Sequence, residues 1–384
     1  MNAWVLALLL IGFVWIALWY SRLRPLWFPI TGNGNESAPP PGTMSIIIPA
    51  RNEANRLPTL LSALAAEARP GMEIIVADDA STDGTAAAVS AAQARDPRLR
   101  LVICPEKPAG WAGKTWAITQ GIAGISSEWL FFCDADLVPD PGSLDLAFTI
   151  IREQQLDALS LIPRMTNHRL APSLLLACFA VGRALQFRPA VPGRRHGLVQ
   201  GAFLAVRRSA YEAVGGHQRI KGSLLEDIEL GYLLQDAGFR VLTRQAHHIM
   251  RTETYPTWAE AREGMRRHIF ASLAWSVPRL VAAVATHGIL FVFPVVCLLR
   301  AIPASGTSAG APAAALFAVV AMYAANLPLV RQERLPLAAG LLIPVSLLAF
   351  GELLLESAWG YRRGDIAWKG RSYHATSSPR ETGA

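Results

Sequence analysis

The hydrophobic residues of this chain follow two patterns that occupy different stretches of the sequence. Between residues 44 and 256, short apolar runs such as 45–49 and 129–133 alternate with segments in which leucine or alanine recurs at helical spacing. Strands that alternate with helices predict a mostly parallel sheet that is covered on both faces. This part of the chain therefore predicts an α/β domain.

The second pattern consists of apolar runs long enough to cross a bilayer, which requires about 20 residues. One run lies near the N-terminus at 3–19, and three follow the α/β domain at 280–299, 311–330 and 335–359. No Lys or Arg precedes the first run, and no small-residue cleavage site follows it. We therefore interpret the first run as a membrane anchor and not as a cleaved signal peptide.

Two further patterns fill the stretches between these regions. Residues 31–42 are rich in Gly, Asn and Pro, which is typical of a linker. Residues 258–275 interleave arginines with apolar residues, which favours an amphipathic helix on a membrane surface over an ordinary surface helix. We predict, in chain order, a transmembrane anchor over 1–22, a linker over 23–43, an α/β domain over 44–256, an amphipathic interfacial helix over 257–278, transmembrane segments over 279–360 and a basic tail over 361–384.

Basic residues beside the apolar runs indicate which ends face the cytoplasm. The positive-inside rule places Arg22, Arg331 and the basic tail 361–384 on that side. Four spans that start from an outside N-terminus would put the tail on the opposite side, so the charges and the span count disagree. The run that contains Pro344 is our candidate for a re-entrant or interfacial segment, and the number of spans stays open.

The composition does not fit an ordinary soluble enzyme. Of the 384 residues, 52% are hydrophobic and 17% are charged, and the mean hydropathy is +0.29. The net charge of +7 fits cytoplasmic-side arginines that attract anionic lipid, and we expect no nucleic-acid partner. The four cysteines are scattered without a C-x-x-C spacing, which argues against a disulfide framework or a zinc site.

Asp134 and Asp136 give the strongest chemical signal, because they directly follow the buried run 129–133. In a strand, residues i and i+2 point to the same face, so the two carboxylates can share one cation. Mg²⁺ and Mn²⁺ take oxygen ligands of this kind and usually keep waters and a substrate phosphate. Asp78 and Asp79 end another strand, and ligands of such sheets bind beyond the carboxyl ends of the strands. The pattern predicts a metal–diphosphate site at this edge.

Several segments, taken in order, resemble the family 2 glycosyltransferases, whose catalytic domain has the Rossmann-like GT-A fold. The resemblance spans about residues 44–245, and the combination is more specific than any one of its parts. The matching segments are 45–53, 74–85, 134–136, 200–208, 214–216 and 225–231. The resemblance implies a GT-A α/β domain with a mostly parallel sheet, flanked by an N-terminal transmembrane helix and C-terminal membrane helices.

The resemblance also implies a role for each candidate site residue. A metal ion, Mg²⁺ or Mn²⁺, is held by Asp134 and Asp136, and Asp227, or as second choice Glu226, is the general base. A carboxylate base opposite a metal-held leaving group gives inversion at the anomeric carbon. The nucleotide-sugar donor is contacted by Pro49, Ala50, Arg51, Glu53, Asp78 or Asp79, Lys114 and Asp134.

These residue types also have structural alternatives that the sequence leaves open. In the first alternative, Asp78 or Asp79 caps the following turn and does not contact a nucleotide. Lys114 is solvated beside a helix that Thr115 caps. The negative charges at 226–227 favour a helix N-terminus through the helix dipole.

Within the family, residues 110–117 and 368–373, together with the membrane segments, resemble bacterial membrane enzymes of hopanoid and glycosylated-carotenoid pathways. This implies transfer of one sugar to a lipid hydroxyl by a multi-pass protein of the bacterial inner membrane, with the catalytic domain in the cytoplasm. The sequence contains no Q-x-x-R-W signature of the processive polysaccharide synthases.

Three alternatives remain. A polyprenyl-phosphate sugar transferase typically continues its D-x-D with Leu-Gln, where this chain has Leu137 and Val138. A nucleotidyltransferase needs a Gly-rich pyrophosphate loop, which is missing near the first strand. A non-catalytic membrane scaffold on a degenerate glycosyltransferase fold is disfavoured because Asp134, Asp136 and Asp227 are all present.

Overall fold

The computed structural model describes residues 3–23, 42–67, 69–186, 199–301 and 310–373. The described chain divides into two compact units. The α/β unit contains residues 42–164 and 199–253, and the helical unit contains residues 3–23, 165–186 and 254–373. Most of the predicted linker, 23–43, and the end of the predicted basic tail lie outside the described residues.

The helices and strands are numbered in chain order. The helices are α1 (Ala3–Leu18), α2 (Leu57–Ala66), α3 (Thr85–Gln93), α4 (Gly113–Ile122), α5 (Ser143–Glu153), α6 (Leu170–Gln186), α7 (Arg208–Ala213), α8 (Gly216–Arg219), α9 (Glu226–Asp236), α10 (Trp258–Ser272), α11 (Val277–His287), α12 (Phe293–Ala301), α13 (Gly310–Gln332), α14 (Leu337–Leu341) and α15 (Ile343–Arg363). The strands are β1 (Met44–Ala50), β2 (Met72–Asp78), β3 (Leu99–Ile103), β4 (Trp129–Cys133), β5 (Leu137–Pro139), β6 (Ala158–Ile162), β7 (Arg164–Thr166), β8 (Phe203–Arg207), β9 (Val241–Gln245), β10 (Met250–Glu253), β11 (Ile366–Trp368) and β12 (Arg371–Tyr373).

The central sheet of the α/β unit has the strand order β3-β2-β1-β4-β8-β6-β9. Its neighbouring strands are parallel except that β8 runs antiparallel to both β4 and β6. The sequence prediction of a mostly parallel sheet is therefore confirmed. The reversed strand β8 was not predicted, and it brings the chain before Phe203 to the edge at which β4 ends.

Both faces of this sheet are buried, which explains why its strands are continuous apolar runs. Ile46 and Phe131 pack on one face, in a cluster with residues of α2 and α5. Ile47 and Phe132 point to the other face and pack with residues of α4 and α9. Side chains alternate between the faces of a strand, so each strand supplies both halves of the core.

The helical unit contains four helical segments that are long and apolar enough to cross a membrane, judged by length and composition. The first contacts its neighbours through aromatic rings: Trp15 meets Phe291 with ring centroids 4.7 Å apart, and Phe13 meets Phe317 at 5.4 Å. The indole N–H of Trp15 donates to the carbonyl oxygen of Leu290 at 3.1 Å. The four segments are Ala3–Ser21, Val277–Ala301, Gly310–Gln332 and Ile343–Arg363.

One predicted membrane segment is wrong as a single helix. The apolar run 335–359 forms two helices, α14 and α15, which meet at Leu342. Pro344 lies in the first turn of α15, where its missing N–H costs no helical hydrogen bond. The candidate span therefore begins at Ile343 and continues to Arg363.

The segment predicted as an amphipathic interfacial helix contains α10, which ends at Ser272, and Thr257 caps the N-terminus of this helix. The Thr257 hydroxyl accepts from the Glu260 N–H at 3.2 Å and donates to the Glu260 carboxylate at 3.0 Å. Arg262 and Arg266 of this helix form ion pairs with carboxylates of α15 and of the turn after it. These two arginines are therefore engaged within the protein.

Candidate active site

The donor residues proposed from the sequence lie at the carboxyl edge of the central sheet. Pro49 and Ala50 end β1, and Ala50 stands opposite Asp78 at the end of β2. Asp134 follows β4 directly. Because β8 is antiparallel, its first residues reach the same edge, and the Asp134 N–H donates to the carbonyl oxygen of Ala202 at 3.2 Å.

The loop after β1 is fixed by the loop after β2. The guanidinium of Arg51 donates to the carbonyl oxygens of Asp79 at 2.6 Å and Ala80 at 3.0 Å. The N–H of Glu53 donates to the hydroxyl of Thr85 at 2.8 Å. Hydrogen bonds therefore hold the two loops together, and the Arg51 side chain contributes by binding backbone carbonyls of the second loop.

Asp78 and Asp79 are both buried but are held in different ways. Oδ1 of Asp78 accepts the N–H of Ser81 at 3.0 Å, which is the turn role that the sequence left open as an alternative. Asp79 donates its own N–H to the carbonyl oxygen of Ala50 at 2.8 Å. The Asp78 carboxylate therefore stabilises the turn, and the Asp79 N–H ties the turn to the end of β1.

Lys114 lies at the centre of the site. Its Nζ is 2.7 Å from Oδ1 of Asp134 and 2.7 Å from Oε1 of Glu226. Burial alone would lower the pKa of Lys114, but Asp134, Glu226 and Asp227 together raise it above its usual range, so the ammonium stays charged. The lysine joins the end of β4 to the start of α9, two segments that are far apart in the sequence.

Helix α4, which carries Lys114, is positioned by a backbone carbonyl. The Ala112 N–H and the Thr115 hydroxyl both donate to the carbonyl oxygen of Lys221, at 2.7 and 2.5 Å. The Thr115 hydroxyl also donates to the carbonyl oxygen of Ala112 at 2.9 Å. The alternative in which Thr115 caps the helix beside a solvated lysine is therefore wrong: Ala112 is the N-cap, and Lys114 is ion-paired.

Asp227 is held beside Lys114 by backbone donors. Its Oδ2 accepts the N–H of Gly201 at 2.6 Å, and its Oδ1 accepts the N–H of Ile228 at 2.8 Å. Burial and the neighbouring Glu226 raise the pKa of Asp227 to about 7, against the opposing effect of Lys114. A Cβ on Gly201 would lie 3.0 Å from Nζ of Lys114 and 3.2 Å from Cβ of Asp227, so this close approach favours glycine.

Asp136 belongs to the same concentration of negative charge. Burial raises the pKa of Asp136 to about 7, and Asp134 and Glu53 add to this effect, whereas Arg56 and Lys114 oppose it. Glu53 lies 3.5 Å from the guanidinium of Arg56. We call the five acidic residues the carboxylate cluster; they are Glu53, Asp134, Asp136, Glu226 and Asp227.

The donor atoms present at this edge fit a hard divalent cation. Asp134 and Asp136 offer carboxylate oxygens, which Mg²⁺ and Mn²⁺ prefer, and a bound cation would offset the repulsion between them. Among the described residues there is no group of three or more His, Cys, Asp or Glu arranged to hold a metal ion. Such an ion would therefore need further ligands from water and a diphosphate.

A family model described as glycosyltransferase-like family 2 matches residues 40–271. The chain belongs to this family. The match covers the whole α/β unit described above and continues through most of α10, so the candidate active site lies within the family 2 domain.

Two curated relatives and one solved structure are also similar to this chain. A 4,4'-diaponeurosporenoate glycosyltransferase of Staphylococcus aureus strain bovine RF122 / ET3-1 is 24% identical over 344 residues, covering 86% of this chain and 88% of the relative. The protein of the same name from strain MRSA252 is 24% identical over 343 residues. The chain is also similar in fold to a mannosyltransferase of Pyrobaculum calidifontis, solved in complex with GDP-Man and Mn²⁺ (TM-score 0.54, 18% identity, 93% of this chain and 97% of that one).

The family 2 domain contains one site neighbour that the sequence analysis missed, His217. Its Nδ1 lies 2.9 Å from the Tyr211 hydroxyl, which also accepts the His217 N–H at 2.9 Å. Burial and Lys114 lower the pKa of His217 to about 3. The imidazole is therefore neutral, and of these two residues only Lys114 is charged. The Gly215–Gly216 pair, with positive φ at both residues, was the available signal for this turn.

Proposed function

We propose that this protein is a membrane-bound inverting glycosyltransferase that moves one sugar from a nucleotide-sugar donor to a hydroxyl of a lipid acceptor. The catalytic domain is expected on the cytoplasmic side of a bacterial inner membrane. The observation that carries the proposal is the meeting of Asp134, Lys114 and Asp227 at the carboxyl edge of the sheet. A metal-binding carboxylate, a diphosphate-binding cation and a general base are thus gathered in one place.

The β1 and β2 ends supply the expected binding wall for the nucleotide. Pro49, Ala50, Arg51 and Glu53 line this wall, which the loop after β2 braces. We assign the contact with the base to one of the two carboxylates at the end of β2, Asp78 or Asp79. A carboxylate can accept the N–H of a pyrimidine or purine ring.

Asp134 and Asp136 are the residues that would hold Mg²⁺ or Mn²⁺, which would offset the negative charge of the departing nucleoside diphosphate. Lys114 complements this role, because its ammonium lies at the N-terminus of α4 and can bind a phosphate oxygen as a point charge. The carboxylate cluster would repel a diphosphate that arrives without Mg²⁺ or Mn²⁺.

Asp227 is the proposed general base. Its raised pKa lets it take the proton of the acceptor hydroxyl near neutral pH, and the Gly201 N–H fixes the orientation of the carboxylate. The acceptor oxygen then bonds to the anomeric carbon as the bond to the diphosphate breaks. One displacement of this kind inverts the configuration of the sugar. Glu226, paired with Lys114, is the second choice as base.

The lipid acceptor is supported by two observations. Within the described residues, four helical segments are long and apolar enough to cross a membrane, so an acceptor delivered from a bilayer suits this protein. The S. aureus relatives are named 4,4'-diaponeurosporenoate glycosyltransferase, and the first of them matches 86% of this chain. We therefore favour an apolar acceptor of the carotenoid or hopanoid kind.

The test uses the full-length protein in lipid nanodiscs with a panel of nucleotide sugars. Release of nucleoside diphosphate is measured with and without Mn²⁺ or Mg²⁺, and with bacterial lipid extract. We expect metal-dependent, lipid-stimulated release that Asp136→Ala and Asp227→Ala abolish, while Asp236→Ala, an exposed change at the end of α9, retains it. Absence of metal-dependent nucleotide binding in calorimetry would contradict the proposal.

A further inference from the structure

Lys114 occupies an unusual place for a residue expected to bind the donor. Its ammonium already bridges two carboxylates, Asp134 and Glu226, at 2.7 Å each. An ammonium has three N–H donors, so these contacts use two of them. The bridge joins the residue proposed to bind the metal with a residue adjacent to the proposed base.

The charges around this bridge make it hard to replace by solvent. The five acidic residues of the carboxylate cluster face two nearby cations, Lys114 and Arg56. Arg56 lies beside Glu53, so Lys114 is the cation that lies between Asp134 and Glu226. Without it, buried carboxylates would repel one another across the start of α9.

A divalent cation and the Lys114 ammonium compete for the same carboxylate. A metal ion on Asp134 would stand next to a positive charge that is held within 2.7 Å of Oδ1, and like charges at such distances repel strongly in a partly buried site. A diphosphate removes this conflict, because its negative oxygens can lie between the two cations and accept from the ammonium.

From this geometry we propose that Lys114 is the resident counter-cation of the donor-free site, and that it releases Asp134 only when metal and diphosphate bind together. The free protein then binds a divalent metal weakly, and the donor brings the metal with it. Lys114 keeps its contact with Glu226 during this exchange, which leaves Asp227 as the carboxylate available for proton transfer. The inference rests on the metal–diphosphate site of the proposed function and adds a mechanism for its order of binding.

The experiment measures Mn²⁺ binding to the full-length protein in nanodiscs from the EPR signal of free Mn²⁺, with and without UDP or GDP. In the wild-type protein we expect the nucleotide to tighten Mn²⁺ binding by at least about tenfold. Lys114→Met should bind Mn²⁺ alone at least about tenfold more tightly than wild type and should lose most of the coupling to nucleotide. Lys107→Met, whose Nζ lies 3.4 Å from the carbonyl oxygen of Pro108, is the matched control and should behave as wild type.

Several outcomes would overturn the inference. One is a wild-type protein that binds Mn²⁺ alone as tightly as with nucleotide, a result that needs no variant. Another is a folded Lys114→Met, or Lys114→Gln if the first variant does not fold, whose affinity for Mn²⁺ alone is unchanged or weaker. If nucleotide binding depends on Mn²⁺ in wild type while the Lys114 variant gives the second result, the inference fails and the proposed function stands. The first result would contradict both, because the coupling between metal and nucleotide is reciprocal. If no nucleotide binds with Mn²⁺, the proposed function itself fails.

Discussion

Two groups of buried charges in this protein differ in how well they are balanced. In the helical unit, Arg183 and Glu333 form a buried ion pair, and the second carboxylate oxygen of Glu333 accepts the N–H of Met165 at 2.7 Å. In the α/β unit, the carboxylate cluster places five acidic residues near Lys114 and Arg56. The Arg183–Glu333 pair contains one positive and one negative charge, which are hydrogen-bonded to each other. The carboxylate cluster and its two cations contain more negative than positive charges.

This difference separates a structural role from a functional one. A balanced buried pair adds no demand for a ligand, and its removal leaves a single charge in the interior. An excess of partly buried carboxylates is unfavourable for the folded protein on its own, so it is consistent with a site that a cation-carrying ligand completes. The comparison therefore predicts loss of activity without loss of stability in the cluster, and the reverse in the pair.

The largest effect is expected for Asp227→Asn. Loss of the general base should lower kcat of lipid glycosylation by about 10²–10⁴-fold, while the neutral amide removes a repulsive charge and leaves the thermal midpoint unchanged or higher. Steady-state assays in nanodiscs and thermal unfolding check both parts. Asp236→Asn, exposed on the same helix, should leave both unchanged. If Glu226→Gln abolished transfer and Asp227→Asn did not, the base would be Glu226.

Glu333→Gln should have the opposite profile. It leaves the buried guanidinium of Arg183 without a carboxylate, so we expect the free energy of unfolding to fall by about 3–5 kcal/mol. Denaturant or thermal unfolding in detergent measures this loss. The double variant Arg183→Met with Glu333→Leu removes both charges and should recover part of it. A single variant as stable as wild type would show that the pair does not hold the helical unit together.

Much of the α/β unit could be predicted from the sequence because its signals are local. The run 129–133 is a strand with the bounds expected from its apolar residues, and Asp134 follows it at the functional edge. Helix α4 begins at Gly113, before Thr115, the residue considered from the sequence as its cap, and this start places Lys114 in the first turn. Errors of this size at helix ends are small for the fold but decide whether a side chain faces the site.

What the sequence could not show are contacts between distant segments. Lys114, Asp134 and Glu226 meet only because the sheet order brings β4 next to the reversed strand β8. The sequence of α6 is typical of a helix in an α/β domain, but α6 belongs to the helical unit. Pro344 was visible as a disturbance within an apolar run, but the position of the break before it depends on packing.

A smaller effect, on pH dependence, tests the cluster directly. Because Asp227 must be deprotonated to act as base and its pKa is raised to about 7, kcat/KM should rise about tenfold per pH unit below pH 7 and level off above it. The raised pKa also means that this carboxyl stabilises the folded state at acid pH and that its contribution is lost as pH rises through 7. A rate profile with its inflection near pH 4 would contradict the assignment.

The smallest effect is expected for a charged group that is neither buried nor in excess. Arg262 of α10 contacts Glu352 at 3.0 Å and Glu356 at 2.9 Å, and the side chain of Glu352 is 70% exposed. Glu352→Gln should therefore cost less unfolding free energy than Glu333→Gln, because Arg262 keeps its second partner, Glu356. Glu356→Gln is the matched control and should cost more, since Glu356 also lies 4.0 Å from Arg266 and is 33% exposed. If Glu352→Gln destabilised the protein as much as Glu333→Gln, burial would not explain the difference between ion pairs in this unit. The number of charged partners, and not burial, would then have to explain how much stability each variant loses. The contrast with the carboxylate cluster would rest on the same number.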